Sequence, residues 1–286
     1  MNNTQLLNKF KKELIKRNMS EKTIRSYRYD IDKFLKSNNA LSLNDVTKED
    51  IKDFIKYERE VLGNTSRTTS KTISALRKLY DVIRPKDNPA LGLGHISIEE
   101  PLPLYLTRNE IDNFFNNIPE NTEITCRDKT MFELMYSCGL YVSEVVELKM
   151  NQINLDNKSI KLSDRQVPIS EEALRLITKY LSIRHFLLND TISDYVFISN
   201  KKGSLDRKSV WRILNKRGID VDLHKPINTS ILRHSFAIHL IDAGGDLKLI
   251  AELFGYTDIK QTYAYIKAIK ERDMKDFRVP NRGQRL

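Results

Sequence analysis

The sequence predicts a mainly α-helical protein in two parts. An all-α four-helix domain over residues 1–84 is followed by a mostly helical domain with a small sheet over residues 105–286. Three observations predict this. Apolar residues recur every three to four positions through four successive segments of the first part, and none of these alternates as a strand would. Pro85, Pro89, Gly92, Gly94, Pro101 and Pro103 crowd residues 85–104, which reads as a linker. The strand signals are short and few, near Ile153, Ile160 and Val167 and at residues 195–198.

In the first part, Leu6, Leu7, Phe10, Leu14 and Ile15 mark a first helix. Ser20 is placed to cap a second, with Ile24, Tyr27, Ile31, Phe34 and Leu35 inward. Thr47 with Asp50 forms a capping-box pattern ahead of Ile51, Phe54, Ile55 and Tyr57. The fourth helix runs over residues 66–83, buries Ile73, Leu76, Leu79 and Tyr80, and stops before Pro85.

Charge gives the first hint of a partner. The chain of 286 residues carries 48 Lys and Arg against 38 Asp and Glu, a net charge of +10. Residues 1–94 hold 20 of those cations and 12 of the acids, a net of +8. Such an excess suits a polyanion. It is arranged on helix faces: Lys22, Arg25 and Arg28 on the second helix, and Arg67, Lys71, Arg77 and Lys78 on the fourth, with hydroxyls between. Two faces of this kind suit phosphate contact better than plain solvation.

In the second part, Thr107 and Glu110 form a capping box for a helix burying Ile111, Phe114 and Phe115. A longer helix over residues 123–137 carries Met131, Phe132, Leu134 and Met135 inward, and Ser170 opens another through Leu174, Leu176, Ile177 and Leu181. Over residues 206–218, Arg207, Lys208, Arg212, Lys216 and Arg217 flank an apolar edge of Val210, Ile213 and Leu214, and Trp211 is expected to pack. Thr229 or Ser230 is placed to cap a helix through Ile231, Phe236, Ile238, Leu240 and Ile241, ended by Gly244 and Gly245. Asp246 then caps a helix with Leu247, Leu249, Ile250 and Leu253 inward.

Cys126 and Cys138 lack the spacing of a metal site and read as buried thiols; no metal or other cofactor is expected. No apolar run approaches the 18 residues of a membrane span, and no leader pattern opens the chain, so a cytoplasmic protein is expected.

Two motifs go further. One is Gly139-Leu140-Tyr141-Val142-Ser143-Glu144; the other is Ser230-Ile231-Leu232-Arg233-His234-Ser235-Phe236-Ala237-Ile238-His239-Leu240. With Phe254-Gly255-Tyr256 and a tyrosine nine residues beyond Tyr256, at Tyr265, they resemble the tyrosine recombinase (phage integrase and Xer) family over nearly the whole chain. The resemblance implies a SAM-like core-binding domain and a catalytic-type domain that together form a C-shaped clamp on double-stranded DNA. It also implies a nucleophile at Tyr265, a phosphate-binding Arg233, and a basic tail over residues 267–286 that supports self-association on DNA. The basic helix over residues 206–218 would lie against the duplex, and no membrane or small-molecule substrate is implied.

The sequence departs from the family at the positions that do the chemistry. Where the family has its first catalytic arginine this chain has Tyr141. Its histidine three residues before Arg233 is Ser230, and its third-motif histidine is Tyr256. The hairpin that normally carries a lysine looks about five residues short, leaving Lys158, Lys161 or Arg165 as stand-ins, with His234 or His239 as substitute donors. A tyrosine attacking a phosphodiester must lose a proton of pKa about 10, and its transition state needs fixed cations around the non-bridging oxygens. The expectation is therefore a sequence-specific DNA-binding protein, nucleoid-associated, that no longer cuts. Its expected role is a repressor or other regulator of a phage or mobile element. The alternative is an active divergent recombinase. Lys22, Arg25, Arg28, Arg67, Lys71, Arg77, Arg165, Arg207, Lys208, Arg212, Arg233 and His234 are the expected nucleic-acid contacts.

Overall fold

A computed structural model describes residues 1–38, 41–93, 101–188, 192–199, 205–221, 223 and 225–276. The chain forms two compact units, Met1–Pro101 and Leu102–Leu286.

The first unit contains α1 (Asn3–Lys16), α2 (Glu21–Ser37), α3 (Lys48–Glu60) and α4 (Ser66–Ile83). Each begins at a side-chain cap that satisfies an otherwise orphaned N–H: Asn2, Ser20, Thr47 and Thr65. Their inner stripes meet around Phe34 and Phe54, whose rings pack edge to face at 5.2 Å. Ile15 and Tyr57, expected inside, are exposed at the edge of the bundle. The stretch read as linker is partly core: Ala90 and Leu93 are buried with the helices, and Asn88 hydrogen-bonds the Arg77 carbonyl and Asp81. Proline and glycine there break helix without breaking packing. Gly94 and residues 95–100 lie outside the described residues.

The second unit opens with α5 (Arg108–Asn116) and α6 (Glu123–Ser137), then α7 (Val142–Glu147). A three-stranded antiparallel sheet follows, β1 (Ile153–Asn154), β2 (Ser159–Lys161) and β3 (Gln166–Pro168), with Ile153, Ile160 and Val167 in register. The β2–β3 hairpin closes on a tight turn in which Leu162 N–H donates to the Arg165 carbonyl at 2.8 Å. Next come α8 (Glu171–Ile183), α9 (His185–Leu188), α10 (Arg207–Asp220), α11 (Thr229–Asp242), α12 (Leu247–Phe254) and α13 (Tyr263–Asp276). Of the segment 195–198, Tyr195 makes one isolated bridge to Lys149, while Val196, Phe197 and Ile198 pack into the core.

The sheet and α6 share one apolar core with α5, α8, α10 and the start of α11. A smaller core joins α11, α12 and α13 through Ala237, Ile238, Ile250, Phe254, Tyr265 and Ala268. That second core sets the spacing of the sequence motifs. Leu249, expected inside, is exposed because the buried stripe of the short α12 is Ile250, Ala251 and Phe254. Among the described residues no helix is long and apolar enough to cross a membrane.

Candidate active site and nucleic-acid interface

The site is assembled by three chain reversals. Gly139, at φ +63°, turns the chain out of α6 into α7, in a space so tight that a Cβ there would meet the Phe254 ring at 2.5 Å. Tyr141 is the N-cap residue of α7, held by its backbone N–H donating to Glu144 Oε2 at 2.7 Å. Asn228, rather than Thr229 or Ser230, caps α11; its side-chain oxygen accepts from the N–H groups of Ser230 and Ile231 at 2.9 and 3.0 Å. Gly255, at φ +64°, ends α12 and returns the chain toward α13.

These reversals enclose Arg233. Its side chain extends from α11 with only 3% of the residue exposed. Its guanidinium donates to the Gly139 carbonyl and, at 2.8 Å, to the Phe254 carbonyl. The Tyr141 ring lies over it at 3.5 Å, with the Phe254 ring at 3.9 Å and Tyr256 at 5.6 Å. Cation–π contacts of this kind strengthen when water is excluded. Burial lowers the Arg233 pKa, and the neighbouring tyrosines Tyr141 and Tyr256 oppose that shift. Tyr141 is thus a cover over Arg233.

Tyr265, on α13, is equally buried at 3% exposure. Its hydroxyl lies 3.1 Å from the Tyr256 hydroxyl, and its ring meets Phe254 and His234 edge-on. Burial, reinforced by Tyr256, pushes its phenol well above the usual range, so it stays protonated near neutrality.

The stand-ins for a general acid or a lysine are engaged elsewhere. Arg165 sits in the β2–β3 turn with its side chain 8% exposed. It pairs with Glu144 at 2.7 Å and donates to the Leu253 carbonyl at 2.7 Å, bracing the first motif against the end of α12. Lys158 pairs with Glu171 at 2.6 Å, and Lys161 is exposed on β2. His234 has Nδ1 3.3 Å from the Leu104 carbonyl, and burial lowers its pKa. His239 is buried against Tyr136, whose hydroxyl is 3.0 Å from Nδ1. Ser230 is exposed on the first turn of α11. The structure therefore brings together Tyr141, Arg233, Tyr256 and Tyr265, with the His234 ring against Tyr265, but not His239. The motifs include Glu144 and Phe254, but the sequence gives neither a part, because their parts depend on contacts far along the chain.

The expected phosphate contacts of the first unit lie on its surface. Lys22 and Arg67 are exposed. Arg25 pairs with Glu21 at 2.5 Å and Arg28 with Asp32 at 2.8 Å, both within α2. Lys71 reaches from α4 to the buried Asp30 of α2 at 3.1 Å, and Arg77 is half-buried, its Nε enclosed without a hydrogen-bond partner. Exposed pairs like those of Arg25 and Arg28 contribute little to stability and are readily exchanged for a phosphate. In the second unit Arg207, Lys208 and Arg212 are exposed on α10. Trp211 stands out beside them at 51% exposure, contrary to expectation. The inward stripe of α10 is Val210, Leu214 and Gly218, which leaves Trp211 on the outer flank.

Residues 105–272 match the phage integrase family, and residues 7–85 match the phage integrase N-terminal SAM-like domain. The chain belongs to the phage integrase family. It is similar to the tyrosine recombinase XerD of Haemophilus influenzae, 32% identical over 95% of this chain and 96% of that protein. The XerD of Pasteurella multocida is 31% identical over 95% and 96%. Among solved structures, the XerH site-specific recombinase bound to palindromic difH substrate, a post-cleavage complex, superposes with a TM-score of 0.74 at 20% identity, covering 91% of this chain and 80% of that one. This phage integrase fold thus holds an arginine and a tyrosine at the expected motif positions, both sealed by aromatic neighbours.

Proposed function

We propose that this protein is a sequence-specific double-stranded-DNA-binding member of the phage integrase family that has lost strand cleavage. It acts as a transcriptional regulator of a phage or mobile element, in the cytoplasm and on the nucleoid. The observation that carries the loss of cleavage is the state of Arg233. Its guanidinium lies between the Tyr141 and Phe254 rings and donates to two carbonyls. With 3% of the residue exposed, Arg233 presents almost no surface to a phosphate while Tyr141 covers it. One missing transition-state donor typically costs about 10²–10³ in rate, and here the positions at Tyr141, Ser230 and Tyr256 are all altered. A binder without chemistry still acts by occupying its site, which supports the regulatory role.

Duplex binding is supported by the basic faces of α2, α4 and α10 and by relatives that are recombinases, one of them solved on its DNA substrate. Self-association would run through residues 267–286, of which 277–286 lie outside the described residues. Replacing Arg28 with alanine should lower the dependence of log binding constant on log salt by about 0.9, one phosphate contact. A binding titration at several salt concentrations measures it.

One observation favours a second reading, an active divergent recombinase: a tyrosine stands at the nucleophile position, with its hydroxyl 3.1 Å from the Tyr256 hydroxyl. A nicked suicide duplex carrying the bound site separates the two readings. The expected result is retention on the duplex without any covalent adduct on denaturing gels. An adduct that disappears in Tyr265→Phe overturns the loss of cleavage.

A further inference from the structure

The first unit has a basic feature that lies outside the expected faces of α2 and α4. Lys48, Lys52, Lys56 and Arg59 project from α3 into a cleft of about 900 Å³. Its opposite wall is Asn64, Thr65 and Ser66, where α4 begins, and Ile55, Ile73 and Leu93 add apolar surface. At Gly92, φ +67°, the missing side chain leaves room for the Lys48 ammonium: a Cβ there would lie 3.3 Å from Nζ.

Four cations line the cleft against one acid, Glu60. Lys52 pairs with Glu49 at 3.0 Å and Lys56 with Glu60 at 4.0 Å, both on the exposed surface. Lys48 and Arg59 form no ion pair among the described residues. Lysines four apart on one helix repel, and Glu49, Asp50, Asp53, Glu58 and Glu60 on the same helix offset that repulsion, so the cations are concentrated on the cleft face rather than on α3 as a whole.

Spacing selects the anion. Successive lysines on α3 rise by about 6 Å, and the row from Lys48 to Arg59 is about 16 Å long. Laid parallel to the duplex axis, that length spans about five nucleotides of one strand, at 3.4 Å of axial rise each. The cleft also borders Ser66, next to Arg67 on α4, so a strand lying in it continues from the surface already assigned to the duplex.

We propose that α3 is a second phosphate-binding strip, which grips the backbone of one strand beside the segment contacted by α2 and α4. The hydroxyl and amide groups of the opposite wall donate to the same phosphates, and the aliphatic side chains accommodate deoxyribose edges. This inference rests on the duplex-binding reading above and adds to it a defined footprint.

The test uses the full chain and a duplex that it selects from sheared genomic DNA. The variant Lys48→Ala/Lys52→Ala/Lys56→Ala/Arg59→Ala should keep its melting temperature, because no buried contact is removed. Its salt slope should fall by about 3–4, at about 0.9 for each phosphate released. Hydroxyl-radical protection should shrink by about five nucleotides on one strand only. The single variant Lys56→Glu, with one charge reversed, should weaken binding in the same direction. If the wild type binds its site and the fourfold variant keeps slope and footprint, the strip is refuted and the duplex-binding reading survives. If the wild type selects no duplex, both fall. Micromolar binding of sodium tripolyphosphate that the fourfold variant loses, with duplex binding unchanged, assigns the cleft to a free polyphosphate and also refutes the strip.

Discussion

Arg233→Ala should destabilise the second unit by about 3 kcal/mol or more. The side chain makes two charged hydrogen bonds, to the Gly139 and Phe254 carbonyls, each worth about 1.5–3 kcal/mol. It also fills the space between the Tyr141 and Phe254 rings, and desolvated cation–π contacts add about 2 kcal/mol. Burial of the charge opposes these gains, as the lowered Arg233 pKa records. Truncation removes that cost together with the gains, but it leaves both carbonyls without a donor and a gap between the rings. Arg233→Lys should recover only part of the loss, since an ammonium cannot lie flat between two rings. The lone Trp211 on α10 provides the readout, through fluorescence-detected guanidinium unfolding. A change below about 0.5 kcal/mol would mean that the guanidinium is not a structural keystone and that the pocket is open to a phosphate.

The helices were legible in the sequence because their signals are local. Ser20, Thr47, Thr107 and Ser170 each cap a helix three residues upstream of the N–H they satisfy. Such a pattern depends on a few neighbouring residues. Asn228 escaped the same logic because three consecutive residues, Asn228, Thr229 and Ser230, are all competent caps and the surrounding core decides between them. The site was legible as a set of positions but not as an arrangement. Tyr141 and Arg233 meet across 92 residues of chain, and Arg165 and Glu144 across a sheet. Nothing periodic in the sequence announces either contact. Arg165 reads as a candidate phosphate ligand for that reason; in the structure its fork is spent on Glu144 and the Leu253 carbonyl.

The same contacts let this region settle without a ligand. An arginine at position 141 would set a second cation beside Arg233, and such a pair needs an anion between the two to be stable. A tyrosine there satisfies Arg233 directly through its ring. Tyr256 and Tyr265 likewise satisfy each other, hydroxyl to hydroxyl. Each group that would wait for a phosphate has a partner within the protein, so the folded chain does not depend on ligand to settle this region.

Glu133 should make the protein less stable as pH rises from about 4.5 to 7. The residue lies on α6, the helix that delivers Gly139 and Tyr141 to the site, and it is 5% exposed. Burial raises its carboxyl pKa to about 7; the hydrogen bond from Ser137 opposes this, while the charge of Glu172 adds to it. An acid whose folded pKa exceeds its unfolded value of 4.5 binds a proton more tightly when folded. Its stabilising contribution is complete below pH 4.5 and is lost as pH rises through 7. A difference of that size amounts to about 3 kcal/mol at pH 8. Glu133→Gln keeps the shape and removes the ionisation, so it should be more stable than the wild type at pH 8 by up to about 3 kcal/mol and equal to it near pH 4.5. Guanidinium unfolding of both proteins at pH 5, 6, 7 and 8 measures the divergence. Parallel curves, with the difference constant across the series, would show that the Glu133 carboxylate ionises in the folded state at no cost, and that water or a cation reaches the interior of α6 beneath the site.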